Sequence, residues 1–509
     1  SDLIKLIKKA SEDPMIEGIV INTYSVSGGQ ATIYDLRNVL KEFKTSGKFL
    51  YAYSDFYSQS AYWLSSIADS IWLNPNGYLD LKGYGVAVPF YKELLDKVGI
   101  EMNVFYAGTF KSATEPYRRT NMSDASKQQT KEFLNDMQEV MMADISASRS
   151  LSQEKLKSII TEYQGGRSAT ALSTGLVDIL AYWTDFETVI KNNLNIKETS
   201  KVTYVSVDDY AQYLKSDYDG SIKNKIAVIY AEGEILYGNK GKGVINDEKY
   251  LKIFDQISRD DSYRGVVFRI NSPGGNSLVS DNIAHAVKAL KAKNIPIIAS
   301  YGDYAASGGY YISAFADTIV AAPNTLTGSI GVYVMFPNAR KMLNEHLGVY
   351  FDTLKTDPFA VSFTPYFDLN QSEKTHMQAY TDELYQQFIS IVASGRNLSV
   401  DEVDEVAQGR VWTGLKAKSL GLVDEIGNLQ DAIKITAESA GIDQYNIIEF
   451  PKIKANPWKK LIESIAPEQA SVKSSMPIEV HLLKGYHHFK SFLRDADPQA
   501  RLPYIFYWN

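Results

Sequence analysis

The chain has 509 residues, 45% hydrophobic and 22% charged, which is too long for one ordinary core and excludes a low-complexity polymer. Its net charge of -7 argues against nucleic acid as the main partner, because phosphate recognition wants a basic surface. Cysteine is absent, so thiol catalysis, disulfides and Cys-type zinc sites are excluded.

No stretch reaches the ~18 apolar residues of a membrane span. The chain begins at Ser1 with no signal segment, so it reads either as a soluble protein or as one parted from an N-terminal anchor. In chain order, the first apolar run is Glu17–Ile21, leading to the glycine pair Gly28-Gly29. The segment Ser54–Tyr57 through Ala68-Asp69 follows, then Ala107–Tyr117 with its single lysine Lys111, then Gly175–Asp178. A polar stretch around Asn192–Asn224 reads as a linker.

Beyond the linker the same marks return. Arg264–Phe268 repeats Glu17–Ile21, Gly274-Gly275 repeats Gly28-Gly29, Gly302–Asp317 repeats Ser54–Asp69, and Gly421–Asp424 repeats Gly175–Asp178. Ordered matches at a nearly constant offset mean a duplication of domain-sized units. The expected boundaries are a first repeat over 1–195, a linker over 196–224, a second repeat over 225–435 and an extension over 436–509.

In the second repeat the pattern predicts a strand at Gly265–Ile270, a helix at Ser280–Lys291 and a strand at Pro296–Ser300. It then predicts helical spacing over Ser307–Phe315 and a strand at Thr318–Ala321. Such alternation implies βαβ units and a mainly parallel sheet flanked by helices, an α/β fold. Lys374–Gly395 and Asp401–Ala407 read as helices outside that sheet. The five prolines of Lys452–Asn509 suggest an extended tail, and its aromatic end (Tyr504, Phe506, Tyr507, Trp508) suggests that it docks.

Three elements of the second repeat carry chemistry. Asn271–Gly275 is a strand-to-helix turn whose glycines let backbone N–H groups face a phosphate or oxyanion, or simply make the turn. Ala305–Tyr310 places Ser307 among small residues at a helix start, where a serine can cap the helix or attack a carbonyl with the Gly308 N–H behind it. Leu326–Gly331 holds Ser329 in what is otherwise a tight turn.

A nucleophilic serine needs a base. None of the six histidines (His285, His346, His376, His481, His487, His488) pairs recognisably with an acidic orienter, and His285 on the following helix reads as structural. The duplication is more informative. Ser307 aligns with Gln59, and Lys111 aligns with Phe359 or Ala360, so one repeat keeps a serine without a lysine and the other a lysine without a serine.

These residues resemble the signal peptide peptidase A family, also called protease IV, in its long tandem form, over about Asp2–Leu429. The family's NSPGG, ASGGY and TGSIG elements stand here as Asn271–Gly275, Ala306–Tyr310 and Thr327–Gly331, and its lysine motif as Gly108–Ala113. One departure is Asn276–Leu278 after the glycine pair. The resemblance implies two tandem Clp/crotonase-like domains. It implies a Ser/Lys dyad with Ser307 as nucleophile, Lys111 as base and Ser329 orienting the lysine. Gly308 and the Gly274-Gly275 turn would form the oxyanion hole, with no cofactor and no metal. It also implies a homotetramer anchored in the bacterial cell membrane by an N-terminal span absent from this chain, facing the extracytoplasmic (periplasmic) side. Its substrates would be residual signal peptides and other short hydrophobic peptides.

The chemistry is self-consistent. A free lysine titrates at about 10.4, and burial must bring it to ~7–8 before it can act as a base. That shift corresponds to about 4 kcal/mol. A crotonase-type acyl-CoA enzyme would share the fold but not predict the split serine and lysine. A Clp-type Ser-His-Asp peptidase would need histidine about 25 residues after the serine, where Val332 stands. A non-catalytic scaffold predicts loss of one dyad member, yet both are present.

Overall fold

The computed structural model describes residues 2–213, 218–238, 241, 243–451 and 499–501. After the helix Asp2–Glu12, the first half alternates β1 (Gly18–Ile21), the helix Gln30–Lys44, β2 (Phe49–Ser58), the helix Gln59–Ser65 and β3 (Ser70–Asp80). β4 (Glu101–Ala107) leaves this layer, the long helix Asp124–Arg149 packs over it, and β5 (Ile179–Leu180) returns. The sheet order is β1-β2-β3-β5, parallel throughout. Parallel pairing needs a crossover between strands, and the buried faces of Gln30–Lys44 and Gln59–Ser65 supply it.

The second half adds β6 (Lys225–Glu232), β7 (Glu234–Ile235), β8 (Val244–Ile245), β9 (Tyr263–Ser272), β10 (Gly274–Asn276), β11 (Ile297–Ala306), β12 (Thr318–Ala321), β13 (Leu326–Gly328), β14 (Val332–Asn338), β15 (Val411–Thr413), β16 (Glu425–Ile426) and β17 (Asn446–Phe450). Its main sheet runs β15-β13-β11-β9-β6-β17, with β12 beside β11 and β16 beside β12. A further strand, β18 (Gln499–Arg501), joins the sheet β4-β14-β18-β10-β7-β8. In that sheet β4 of the first half pairs antiparallel with β14 of the second, from Val332 opposite Ala107 to Asn338 opposite Glu101. The halves are therefore joined by backbone pairing as well as by side chains.

The duplication holds at the level of single hydrogen bonds. Tyr62 Oη donates to the Leu176 carbonyl at 2.8 Å, and Tyr310 Oη to that of Leu422 at 2.9 Å. Asp178 accepts from Ile71 N at 2.8 Å, and Asp424 from Ile319 N at 2.7 Å. Each half has its own apolar core, around Tyr57, Tyr62 and Trp63 in the first and Phe268, Tyr301 and Tyr310 in the second. The two tandem α/β domains expected of a Clp/crotonase-like chain are present.

Several local expectations shift. The helical spacing after Ser307 yields only Gly308–Tyr311 as α-helix, because adjacent glycines start it and turns take over by Ile312. The helices expected at Lys374–Gly395 and Asp401–Ala407 are Gln371–Arg396 and Val400–Val406, each started by a capping box, Asn370 with Glu373 and Ser399 with Glu402. The expected linker contains a helix, Val207–Tyr213, tied back to the first half by Tyr210 Oη donating to Asp13 at 3.0 Å. The second sheet continues past residue 435, since the helix Leu429–Ala440 covers it and β17 pairs with β6. The aromatic end of the tail lies outside the described residues. Among the described residues no helix is long and apolar enough to cross a membrane.

Candidate active site

β11 delivers Ser307 to the start of a glycine-led helical turn. The residue adopts φ +56° and ψ −118°, and its side chain makes no capping bond. A non-glycine residue held there costs about 1–3 kcal/mol, so the surrounding structure must enforce it. Ser307 N donates to the Gly328 carbonyl at 2.7 Å, which pins the turn against β13. The corresponding turn of the first half is ordinary. Ser58 caps its helix by accepting from Ala61 N, and Gln59, in the place of Ser307, accepts from Lys82 N and Gly83 N.

Lys111 comes from the loop after β4. Its Nζ lies 2.8 Å from Ser307 Oγ, 3.0 Å from the Ser329 carbonyl oxygen and 3.1 Å from Ser329 Oγ. All three residues are buried. Burial away from water holds the lysine well below its ordinary pKa. Among the described residues no carboxylate forms an ion pair with Lys111 to offset that cost. A neutral amine has two N–H donors and one lone pair. In that form, with both donors on Ser329, the lone pair would face the Ser307 hydroxyl.

The approach of the lysine loop is so close that glycines are required. Gly409, at φ +73°, would place a Cβ 2.7 Å from Lys111 Cβ, and Gly108, at φ +107°, would place one 2.5 Å from the Gln408 carbonyl carbon. Phe110 N donates to the Gln408 carbonyl at 2.8 Å. Ser329 N in turn donates to the Arg410 carbonyl at 2.7 Å, so the segment Gln408–Arg410 braces both the lysine loop and the serine that meets it.

The expected oxyanion donors separate in role. Gly274 N already donates to Ser272 Oγ at 3.1 Å. Gly275 N lies 3.1 Å from where a Cβ on Gly308 would stand, so Gly275 and Gly308 bring their backbones together beside Ser307. A Cβ on Gly275 would fall 2.0 Å from the Ile235 carbonyl oxygen, which explains the glycine there. In the first half the matching turn is closed: Asp303 accepts from Gly29 N at 3.0 Å, Thr32 N at 2.9 Å and Thr32 Oγ1 at 2.9 Å. His285 is exposed on its helix.

Gln129 was not singled out by the sequence. It is buried on the helix Asp124–Arg149, and its Nε2 donates to the Phe110 carbonyl and to Ser112 Oγ, both at 3.0 Å. Its Oε1 accepts from Val411 N at 3.1 Å. One amide thus grips both neighbours of Lys111 and a strand of the other half. Arg410 adds a second clamp, its guanidinium 4.6 Å from the Phe110 ring centroid and 4.2 Å from that of Trp412, paired with Glu132. A lone glutamine on an amphipathic helix carries no sequence signal of this kind.

Comparison with known proteins gives the family. The model of Peptidase family S49 matches residues 42–197 and 289–443, two regions spaced as the internal repeat is. The chain belongs to that peptidase family. It is 35% identical over 456 residues to Protease 4 of Salmonella typhi, covering 88% of this chain and 73% of the relative. It is 33% identical to Protease 4 of Haemophilus influenzae over 447 residues, covering 85% and 71%. The chloroplastic serine protease SPPA of Arabidopsis thaliana is 31% identical over 443 residues, with 85% and 64% covered. The S49 chain is a serine peptidase, a hydrolase.

Proposed function

We propose that this S49 peptidase cleaves short, extended, apolar peptides, residual signal peptides among them, through a Ser307/Lys111 dyad. The observation that carries the reading is the 2.8 Å approach of a buried lysine, without an ion-pair partner among the described residues, to a serine in a strained turn. In the first step the neutral Lys111 amine takes the Ser307 proton while Oγ attacks the scissile carbonyl. The N–H groups of Gly275 and Gly308 donate to the developing oxyanion. The C–N bond then breaks, and the leaving amine receives the proton from Lys111. Water, deprotonated by the same lysine, attacks the acyl ester, and Ser307 recovers its proton as the acid product leaves. Ser329 keeps the amine oriented throughout.

The extended-peptide class has its own support. β18 lies antiparallel to β10, with Ala500 opposite Gly275, so this edge accepts a peptide strand directly beside Ser307. Ala305, Ala306, Gly308 and Gly309 around the serine leave room for backbone and offer no charged pocket.

The division of labour follows the repeats, with the lysine supplied by 1–195 and the serine by 225–435 on either side of a 196–224 connection. In keeping with its family resemblance, the enzyme would act as a homotetramer at the bacterial membrane, on its extracytoplasmic face, through an anchor N-terminal to this chain. The test compares hydrolysis of apolar and charged peptides with a stable folded protein as control. Preference for charged peptides, or rapid cutting of the folded protein, overturns the substrate class.

A further inference from the structure

The first half keeps the glycine turn of its repeat although it has no serine to serve, and a side chain of the second half sits in that turn. Gly28-Gly29 matches Gly274-Gly275, and Gln59 stands where the second half has Ser307. Gly29 is the N-cap of the helix Gln30–Lys44, so the helix start has no capping side chain of its own, and its first turn holds no acidic residue. Free N–H groups and the helix dipole favour an anion at such an end. Asp303 of β11 supplies it. Its buried carboxylate accepts from Gly29 N at 3.0 Å, Thr32 N at 2.9 Å and Thr32 Oγ1 at 2.9 Å. A Cβ on Gly29 would fall 2.3 Å from Asp303 Cγ, so glycine is what admits it.

Asp303 leaves β11 where the strand has lost its neighbours. β11 pairs with β9 up to Tyr301 opposite Ile270, and again only at Ala305 opposite Ser272. Its pairing with β13 begins at Tyr304. Gly302 and Asp303 therefore have no strand partner among the described residues. Side chains hold the break instead. Thr325 Oγ1 donates to the Gly302 carbonyl at 2.8 Å, and Tyr304 N donates to Asn271 Oδ1 at 3.1 Å. Asp303 reaches across to the first half. A second tie runs beside it. Arg269 of β9 lies 3.5 Å from Asp35 of the same helix and donates to Ser300 Oγ at 2.9 Å and to the Tyr301 carbonyl at 2.5 Å. Four residues beyond Asp303, the strand delivers Ser307.

We propose that Asp303 is a positioning residue for hydrolysis: seated in the unused glycine turn of the first half, its carboxylate sets the end of β11, and with it Ser307, against the half that carries Lys111. This rests on the dyad reading. Gln129 and the pairing of β4 with β14 fix the lysine loop to the second half. The Asp303 contact fixes the serine strand to the first half, so the serine and the lysine are held from both sides.

The test uses full-length chains and a short apolar peptide, with circular dichroism as the check on folding. Asp303→Ala is expected to lower kcat on the order of 10²-fold with KM nearly unchanged, because small misplacements of reacting groups are costly. Asp303→Asn, which keeps the shape and one acceptor, recovers part of that loss. Thr32→Val removes one of the three bonds and gives a smaller loss of the same kind. Gly29→Ala lowers kcat in the parent but no further in Asp303→Ala, where its methyl group has room, since both act through one contact. The pH profile of kcat/KM separates positioning from other effects. Loss of a nearby negative charge alone disfavours the ammonium and lowers the apparent pKa, whereas a loosened contact lets water reach the amine and raises it. A smaller folded fraction moves it in neither direction. A rise is expected for Asp303→Ala, with the nearby charges of Asp35, Arg269 and Asp431 the same in every variant. An unchanged or lowered apparent pKa overturns the proposal. So does a parent-like kcat, or additive losses from Gly29→Ala and Asp303→Ala. If Asp303→Ala does not fold, Thr32→Val decides by its kcat and apparent pKa. Ser307→Ala reads the dyad separately. Should it be inactive while Asp303→Ala keeps the parent kinetics, only this proposal falls; should it be fully active, the dyad falls and this proposal with it.

Discussion

Lys111 Nζ and Ser307 Oγ stand 2.8 Å apart although 196 positions separate them in the chain and each comes from a different repeat. The proposed dyad, divided in this way, would make the active site a product of the contact between the halves. Neither half alone can hold it. Ser307→Ala and Lys111→Ala are each expected to lower kcat by at least about 10⁴-fold, because groups that act as a unit fail together. The double variant should lose little more than either single one. Peptide hydrolysis with circular dichroism on all three checks this, and additive losses would separate the two residues.

The buried amine sets a pH dependence with a definite sign. Its pKa in the folded chain lies well below its ordinary value because of desolvation. kcat/KM should rise with pH through an apparent pKa well below 10.5 and then level off. Between the two pKa values the unfolded chain binds more protons, so stability rises with pH across that window and is lost as pH falls toward the folded pKa. Lys111→Met, which removes the group, should therefore be inactive yet melt a few degrees higher at neutral pH. That advantage should shrink as pH approaches 10. Equal melting temperatures across the range would mean that the lysine carries no burial penalty.

The duplication, the parallel sheets and the two residues that meet at 2.8 Å, Ser307 and Lys111, were legible in the sequence, because each leaves a mark at a fixed spacing. Complementary loss drew attention to Lys111 among 53 basic residues. What was not legible depends on contacts between distant segments. Gln129 takes its role from Phe110, Ser112 and Val411, which nothing local connects. The strain at Ser307 is likewise imposed by Gly328 and the β13 edge, so local pattern suggested a longer helix than Gly308–Tyr311.

Gln129 is a positioning residue, and its loss should show as misplacement of the lysine. Gln129→Leu leaves the Phe110 carbonyl and the Val411 N–H without this partner in a buried place, at about 1–3 kcal/mol each. The expected outcome is a fall in kcat on the order of 10²-fold with KM nearly unchanged, since small displacements of a reacting group are costly. Gln129→Glu keeps the acceptor for Val411 N and adds a negative charge near Lys111. It should move the apparent pKa of the rate upward, which a purely structural defect would not do.

β18 supplies the last prediction. Gln499–Arg501 pairs with Gly274–Asn276, and Gln499 also stands opposite Tyr333 of β14. A substrate strand adding beside Ser307 needs the same edge, so the chain's own strand and the peptide compete for it. Such a tethered competitor acts at an effective concentration set by its connection, commonly millimolar, and raises the apparent KM by the ratio of its bound to unbound populations. It leaves the chemistry of bound substrate untouched, so kcat is not affected. Ala500→Pro removes a backbone N–H at the centre of the three-residue strand and disfavours the ladder without touching the dyad. The variant should hydrolyse a short apolar peptide with a several-fold lower KM and an unchanged kcat. A free peptide spanning residues 496–504 should inhibit the variant more strongly than the parent, because the edge is vacant more of the time. An unchanged KM, or a fall in kcat, would show that β18 is not a competitor and that substrate enters by another edge.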